Sequence, residues 1–183
     1  MLNFIQNIDQ SILFYIQEHL KNPALDRVMV FVTTLGNAGF LWIVLALILL
    51  TRKKYQRCGM VLLLSLLLAK FIGDDVLKPL FGRLRPCNQF PEIPLLIKRI
   101  HSYSFPSGHT MQAFTAATVC FYYIRPLGIV VYGMASMMAY SRMYLFVHYP
   151  SDILGGIICG IFTAFFTINF IKAICDYCKL PVK

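Results

Sequence analysis

The stretch VMVFVTTLGNAGFLWIVLALILL, residues Val28–Leu50, runs for 23 residues without a charge. At about 1.5 Å per residue, a continuous helix of that length reaches roughly 34 Å, enough to cross about 30 Å of hydrocarbon. Its weak point is Gly36-Asn37, near the middle. Four more mostly apolar segments follow: Gly59–Leu77, His109–Tyr123, Leu127–Phe146 and Ile153–Ile174. The segment His109–Tyr123 is short for a full crossing and reads as a tilted helix that begins inside a polar site. The expected fold is all-α, a polytopic membrane helical bundle of five to six transmembrane helices, in one integral-membrane domain over residues 1–183.

Composition points the same way. Of 183 residues, 58% are hydrophobic and 14% charged, with mean hydropathy +0.66. A soluble domain carries roughly 25% charged residues. The net charge of +9 does not imply a nucleic-acid partner, because no basic amphipathic helix or RNA-binding signature accompanies it. Cys58, Cys120 and Cys159 lie in apolar runs and read as small hydrophobes. Cys175 and Cys178 form a lone C-x-x-C with no second pair to complete a zinc site, and no metal site or cofactor is expected.

The N-terminus differs from the rest. Phe4, Ile5, Ile8, Ile12, Leu13 and Ile16 recur near helical spacing among Asn3, Gln6, Asn7, Asp9 and Gln10. This predicts an amphipathic helix in the membrane interface, with a sixth span near Ile8–Leu20 as the alternative. It lacks the basic start and long apolar centre of a signal peptide, so it is expected to be retained. Arg52, Lys53, Lys54 and Arg57 crowd the first turn between spans, and Lys172, Lys179 and Lys183 the C-terminus. With five spans these groups share one side, cytoplasmic by the positive-inside rule.

Three polar strings then fall together on the outer side: KPLFGRLRP at Lys78–Pro86, SFPSGHT at Ser104–Thr110 and SRMYLFVHYPSD at Ser141–Asp152. In the third, Arg142 occurs within an apolar helix, where an ionisable group is costly and marks function. His148 and Asp152 are four apart, so one helical turn brings the carboxylate to the ring, fixing its tautomer and raising the basicity of the far nitrogen. An interfacial histidine and a helix-capping aspartate would look the same. In the second string, Ser107 and Gly108 precede an apolar helix, whose N-terminus offers unpaired N–H groups to an anion, and His109 can donate a proton. Ser107 is equally an N-cap candidate. In the first, Lys78 and Arg85 supply cations suited to phosphate oxygens. Asp74 is placed to pair with Lys78, and Arg83 alone reads as a snorkelling side chain.

Lys78, six residues, then Arg85-Pro86 resembles the first signature of the type 2 phosphatidic-acid phosphatase superfamily. Pro106-Ser107-Gly108-His109 resembles the second, and Ser141-Arg142, five residues, His148, three residues, Asp152 the third. The resemblance implies metal-independent phosphoester hydrolysis through a phosphohistidine. By similarity His148 is the nucleophile, Asp152 orients it, and His109 protonates the leaving oxygen and then helps activate water. Lys78, Arg85, Arg142, Ser107 and Gly108 would hold the phosphoryl oxygens.

The small size and the short loop between Pro86 and Ser104 resemble members from bacterial plasma membranes. The expected substrate is a lipid phosphate, with undecaprenyl diphosphate ahead of phosphatidylglycerophosphate and phosphatidic acid. One departure is that many dedicated undecaprenyl enzymes carry an aspartate where Gly108 stands. A phosphotransferase of the same mechanism stays open. A non-enzyme reading, a small anion transporter or channel, would spread polar residues along several spans. Here they cluster at one face. Phe90, Ile93, Leu95, Leu96 and Ile97 read as lipid contacts or as local packing. The sequence leaves the oligomeric state open.

Overall fold

The computed structural model describes residues 2–177, and Cys178, Lys179 and Lys183 lie outside them. Among the described residues there is no strand. Helix α1 (Leu2–Tyr15) runs into a π-helical turn, Ile16–Leu20. Helix α2 (Pro23–Leu35) opens on Asn22, whose side chain accepts from the Leu25 N–H at 2.9 Å, with Pro23 at the first helical position. Helix α3 (Phe40–Leu50) continues it after a break, and the two together are long and apolar enough to cross a bilayer, bent by 49°. The apolar stretch Val28–Leu50 is thus two helices, parted at Gly36-Asn37.

Helix α4 (Gln56–Lys70) passes into a seven-residue π-helical segment, Phe71–Leu77. Two short helices follow, α5 (Lys78–Phe81) and α6 (Pro86–Gln89). Helices α7 (Gly108–Tyr123), α8 (Arg125–Tyr144) and α9 (Pro150–Tyr177) complete the chain. Their limits lie within three residues of the last three predicted segments. At 28 residues, α9 is long and apolar enough to cross a membrane by itself.

Helix α7 is the axis of the bundle, almost wholly buried between α4, α8 and α9. Two glycines four apart let α9 approach it. A methyl group on Gly156 would stand 2.8 Å from the Ser107 carbonyl, and one on Gly160 2.5 Å from that of Met111. Small residues at this spacing are the usual means of bringing two membrane helices close. The outer surface is apolar, with Leu47, Ile48, Leu67, Ile129, Ile158 and Phe162 all at least half exposed. Such a continuous apolar exterior would be unstable in water.

A second, smaller core gathers at one end of the bundle. Leu13 and Ile16 from the N-terminal segment pack with Cys87, Tyr144, Phe146, Val147 and Tyr149. Phe90, Ile93, Leu95 and Ile97 pack against it, so local packing describes four of the five loop residues, while Leu96 stays 41% exposed. Helix α1 therefore clamps the turn that carries His148 while its Phe4, Ile5, Ile8 and Ile12 face outward.

Candidate active site

Helix α8 ends at Tyr144, and the chain turns back into α9 within five residues, Leu145–Tyr149. Phe146 adopts a left-handed conformation (φ 59°), and the Val147 N–H donates to the Arg142 carbonyl at 3.2 Å. This tight reversal buries His148 to 1% exposure. Its Nε2 lies 2.8 Å from Nη1 of Arg85. A guanidinium only donates, so Nε2 holds a lone pair and the ring proton sits on Nδ1. Nδ1 faces the Ser104 hydroxyl and Oδ2 of Asp152, each at 3.5 Å. Burial first, and then the charges of Arg85, Arg142 and Lys78, hold the His148 imidazole well below its ordinary range, in its neutral form.

Asp152 is fully buried and saturated. Its Oδ2 accepts from the Ser104 hydroxyl and, at 2.8 Å, from the Tyr149 N–H, while Oδ1 accepts from Arg83 at 2.8 Å. Arg83 does not snorkel toward a lipid surface. Its guanidinium also donates to Asp9 and Gln6 of α1 and to Ser151, each at 2.6 Å, and lies 4.2 Å from the Tyr149 ring centre. Asp9 in turn accepts from the Ser151 N–H and hydroxyl, at 2.9 and 2.5 Å. The anticipated approach of Asp152 to His148 is present, but a chain of carboxylates and a guanidinium reaching back to α1 supports it.

Arg85 and Arg142 are 3% and 2% exposed. Arg85 donates to the Ser102 and Val147 carbonyls at 2.8 and 2.9 Å. Arg142 donates to the Thr33 hydroxyl on α2, and its buried Nε has no partner. Among the described residues neither guanidinium has a carboxylate within ion-pair distance. A buried cation without a carboxylate partner is costly, and two such guanidiniums acting on one imidazole make a setting suited to a bound anion. Lys78 differs, being paired with Asp74 at 2.6 Å as their spacing suggested.

The N-terminus of α7 meets the same group of residues, the Ser107 N–H donating to the Asp152 carbonyl at 3.1 Å. A methyl group on Gly108 would lie 3.4 Å from Oδ1 of Asp74 and 3.7 Å from Nζ of Lys78. Ser107 occupies the N-cap position but its side chain does not cap; its buried hydroxyl accepts from Thr110 at 2.9 Å. The first N–H groups of α7 therefore stay free for an anion. His109 is half-buried, and its Nε2 lies 3.2 Å from Oδ1 of Asn37.

Of the eight residues singled out in the sequence, contacts join His148 to Arg85 and Asp152, Asp152 to the Ser107 N–H, and Gly108 to Lys78, while His109 lies within the charge field of Lys78, Arg85 and Arg142. Sequence reasoning missed Ser104, Arg83, Asp9, Thr33 and Asn37. Ser104 stands inside a quoted string, and Asp9 shares a helical stripe with the buried Leu13 and Ile16, an acidic residue where apolar ones belong. Thr33 and Asn37 carried no such signal. Among the described residues no three His, Cys, Asp or Glu side chains gather as metal ligands.

A family model described as the PAP2 superfamily matches residues 58–174. An undecaprenyl-diphosphatase of Sulfolobus acidocaldarius is 31% identical over 167 residues, covering 90% of this chain and 80% of that protein. The transmembrane PAP2-type phosphatidylglycerolphosphate phosphatase of Bacillus subtilis superposes with a TM-score of 0.77 at 28% identity, over 94% of this chain and 88% of its own. LpxE of Aquifex aeolicus superposes with a TM-score of 0.78 at 26% identity, over 88% and 95% of the two chains.

Proposed function

Since the chain belongs to the PAP2 superfamily, we propose that His148 and the cations around it cleave the phosphate of a membrane lipid through a phosphohistidine. The chain is a lipid-phosphate phosphatase by family. The residue roles, the substrate and the topology are our reading. What carries it is one observation: two buried guanidiniums, neither with a carboxylate partner among the described residues, act on an imidazole whose Nε2 lone pair points at one of them.

In this mechanism the phosphoryl group enters between Arg85 and Arg142. Arg85 exchanges its bond to Nε2 for one to a phosphoryl oxygen, and Nε2 attacks phosphorus. The N–P bond forms as the P–O bond to the leaving group breaks, and His109 gives that oxygen a proton. Asp152, held by Ser104, Tyr149 and Arg83, stabilises the positive charge that develops on the ring. Lys78, Arg142, the Ser107 hydroxyl and the Gly108 N–H complete the cradle. Water then attacks phosphorus, His109 takes its proton, the N–P bond breaks and phosphate leaves. Positioning and charge stabilisation supply most of the rate in such a transfer.

Undecaprenyl diphosphate is the favoured substrate, in a bacterial plasma membrane crossed five or six times by one domain, with the site on the outer side. The named activity of the Sulfolobus relative supports the substrate. The Bacillus structure supports phosphatidylglycerophosphate as the second reading. Phosphate release by purified protein from undecaprenyl diphosphate, phosphatidylglycerophosphate and phosphatidic acid in detergent distinguishes them. The favoured reading fails if the diphosphate is turned over no faster than the other two. An anion transporter would release no phosphate from any.

A further inference from the structure

The break between α2 and α3 is costly and needs a reason. Ala38 takes a left-handed conformation (φ 52°), which an L side chain pays for in strain, and Gly39 another (φ 72°). Within a membrane, irregular backbone is tolerated where it is packed in protein or lines a polar cavity. This break is packed in protein. A methyl group on Gly36 would stand 2.9 Å from the His109 ring, and one on Gly39 would collide with the Gln112 side chain. The break is thus pressed onto the first turns of α7, and the residue it presents there is Asn37.

We propose that Asn37 is a positioning residue that fixes the tautomer of His109. The inference rests on the phosphatase reading above. Oδ1 of Asn37 is an acceptor, so at 3.2 Å it holds the ring proton on Nε2. Nδ1 is then the nitrogen that gives a proton to the leaving oxygen and later takes one from water. When Nδ1 is also protonated, the same acceptor stabilises the imidazolium. The turn that holds the left-handed Ala38 is the one that carries the amide to the ring. The charged and titratable groups facing the ring are Lys78 from α5, Arg85 and His148 from the loops, and Arg142 from α8. Asp74 lies beside Gly108. Lys78, Arg85 and Arg142 only donate, and the Nε2 lone pair of His148 is taken by Arg85, so none of the four replaces Asn37 as an acceptor.

The test uses the full chain in detergent, with Asn37→Ala and the near-isosteric Asn37→Asp. Imidazole nitrogen NMR on the wild type should show His109 as the Nε2–H tautomer, and Asn37→Ala should give a mixture. Asn37→Ala should lower kcat roughly 10- to 100-fold with KM little changed, and move the basic limb of the pH profile to lower pH. Asn37→Asp should recover much of kcat and move that limb upward, because a carboxylate holds the imidazolium more strongly. An unchanged tautomer, or equal losses in both variants with an unmoved basic limb, would overturn the proposal and leave Asn37 as part of the helix break. His109→Ala separates the two levels. If it retains full activity the phosphatase mechanism itself is wrong; if it is inactive while the Asn37 variants behave as the wild type, only this inference fails. Should Asn37→Ala not fold, Asn37→Asp and the wild-type NMR spectrum decide alone.

Discussion

His148 and His109 face the same space from opposite supports. His148 is fully buried, and the groups around it are each held by something else: Asp152 by Ser104, Tyr149 and Arg83, Arg83 by Asp9 and Gln6, Arg85 by two carbonyls. His109 is half-buried, on the first turn of a helix, and among the described residues its ring meets one side-chain partner, Asn37. In the proposed mechanism the first half is preorganised before substrate arrives, and the second is left room to follow a leaving group. A nucleophile gains from a fixed line of attack, whereas an acid must adapt to whichever oxygen departs.

The largest expected effect tests that asymmetry directly. His148→Ala should reduce phosphate release to the uncatalysed background, because no N–P bond can form. His109→Ala should lose less, and least with a substrate whose leaving group needs no proton. Equal losses across leaving groups of different basicity would erase the distinction between the two histidines.

Next come the unpaired cations. Arg85→Gln and Arg142→Gln should each lower kcat about 10²- to 10³-fold, the usual effect of removing a preorganised donor. Arg85→Gln carries a second signature. Its charge helps to hold the His148 imidazole below its ordinary range, and attack requires the neutral ring. Removing that charge raises the ring's pKa, so the acid limb of kcat/KM should move to higher pH. In the wild type that limb should lie below the ordinary histidine value of 6.5. An acid limb that stays put in Arg85→Gln would detach it from His148.

A smaller effect is expected in the scaffold of the preorganised half. Asp9→Ala removes a buried carboxylate from Arg83 and leaves the Ser151 N–H and hydroxyl without their acceptor. Arg83 keeps Asp152 and is 22% exposed, so the loss should be about 2 kcal/mol, below that of breaking an isolated buried pair. Thermal unfolding in detergent measures it. Activity should fall with stability, since Asp152 loses its brace. A variant as stable as the wild type would show that α1 is a passenger.

The comparison also explains what the sequence made legible. Residues proposed to meet phosphate could be read because chemistry limits their types: cations, a small residue at a helix start, a histidine with a carboxylate four positions on. The helices α7, α8 and α9 could be read from uncharged runs of the right length. The support around the site is different. Arg83 looked like a snorkelling cation because its partners Asp9 and Asp152 lie 74 and 69 residues away. Asn37 looked like a flaw in a hydrophobic stretch, because a break in periodicity does not say which surface it meets. Such pairings are set by tertiary contact, and local pattern carries no trace of them.

The smallest effect concerns Lys78, a cation of the proposed phosphate cradle that is paired with Asp74. Lys78 holds Asp74 at 2.6 Å, and Asp74 is 33% exposed at the rim. A pair this exposed contributes about 0.5 kcal/mol to stability at most, so Asp74→Asn should fold normally. Two consequences for binding then oppose each other. The carboxylate repels an incoming phosphate, so removing it should lower KM; it also aims the ammonium, so removing it should raise KM. The first should win by a few-fold. Lysine is a point charge that needs little aiming, and Gly108 leaves the space beside it open. Lowering the ionic strength should widen the difference between wild type and variant, because screening weakens the repulsion. A raised KM in Asp74→Asn would instead make the rim a preorganised region like the His148 half, with Asp74 in the place that Asp152 holds there.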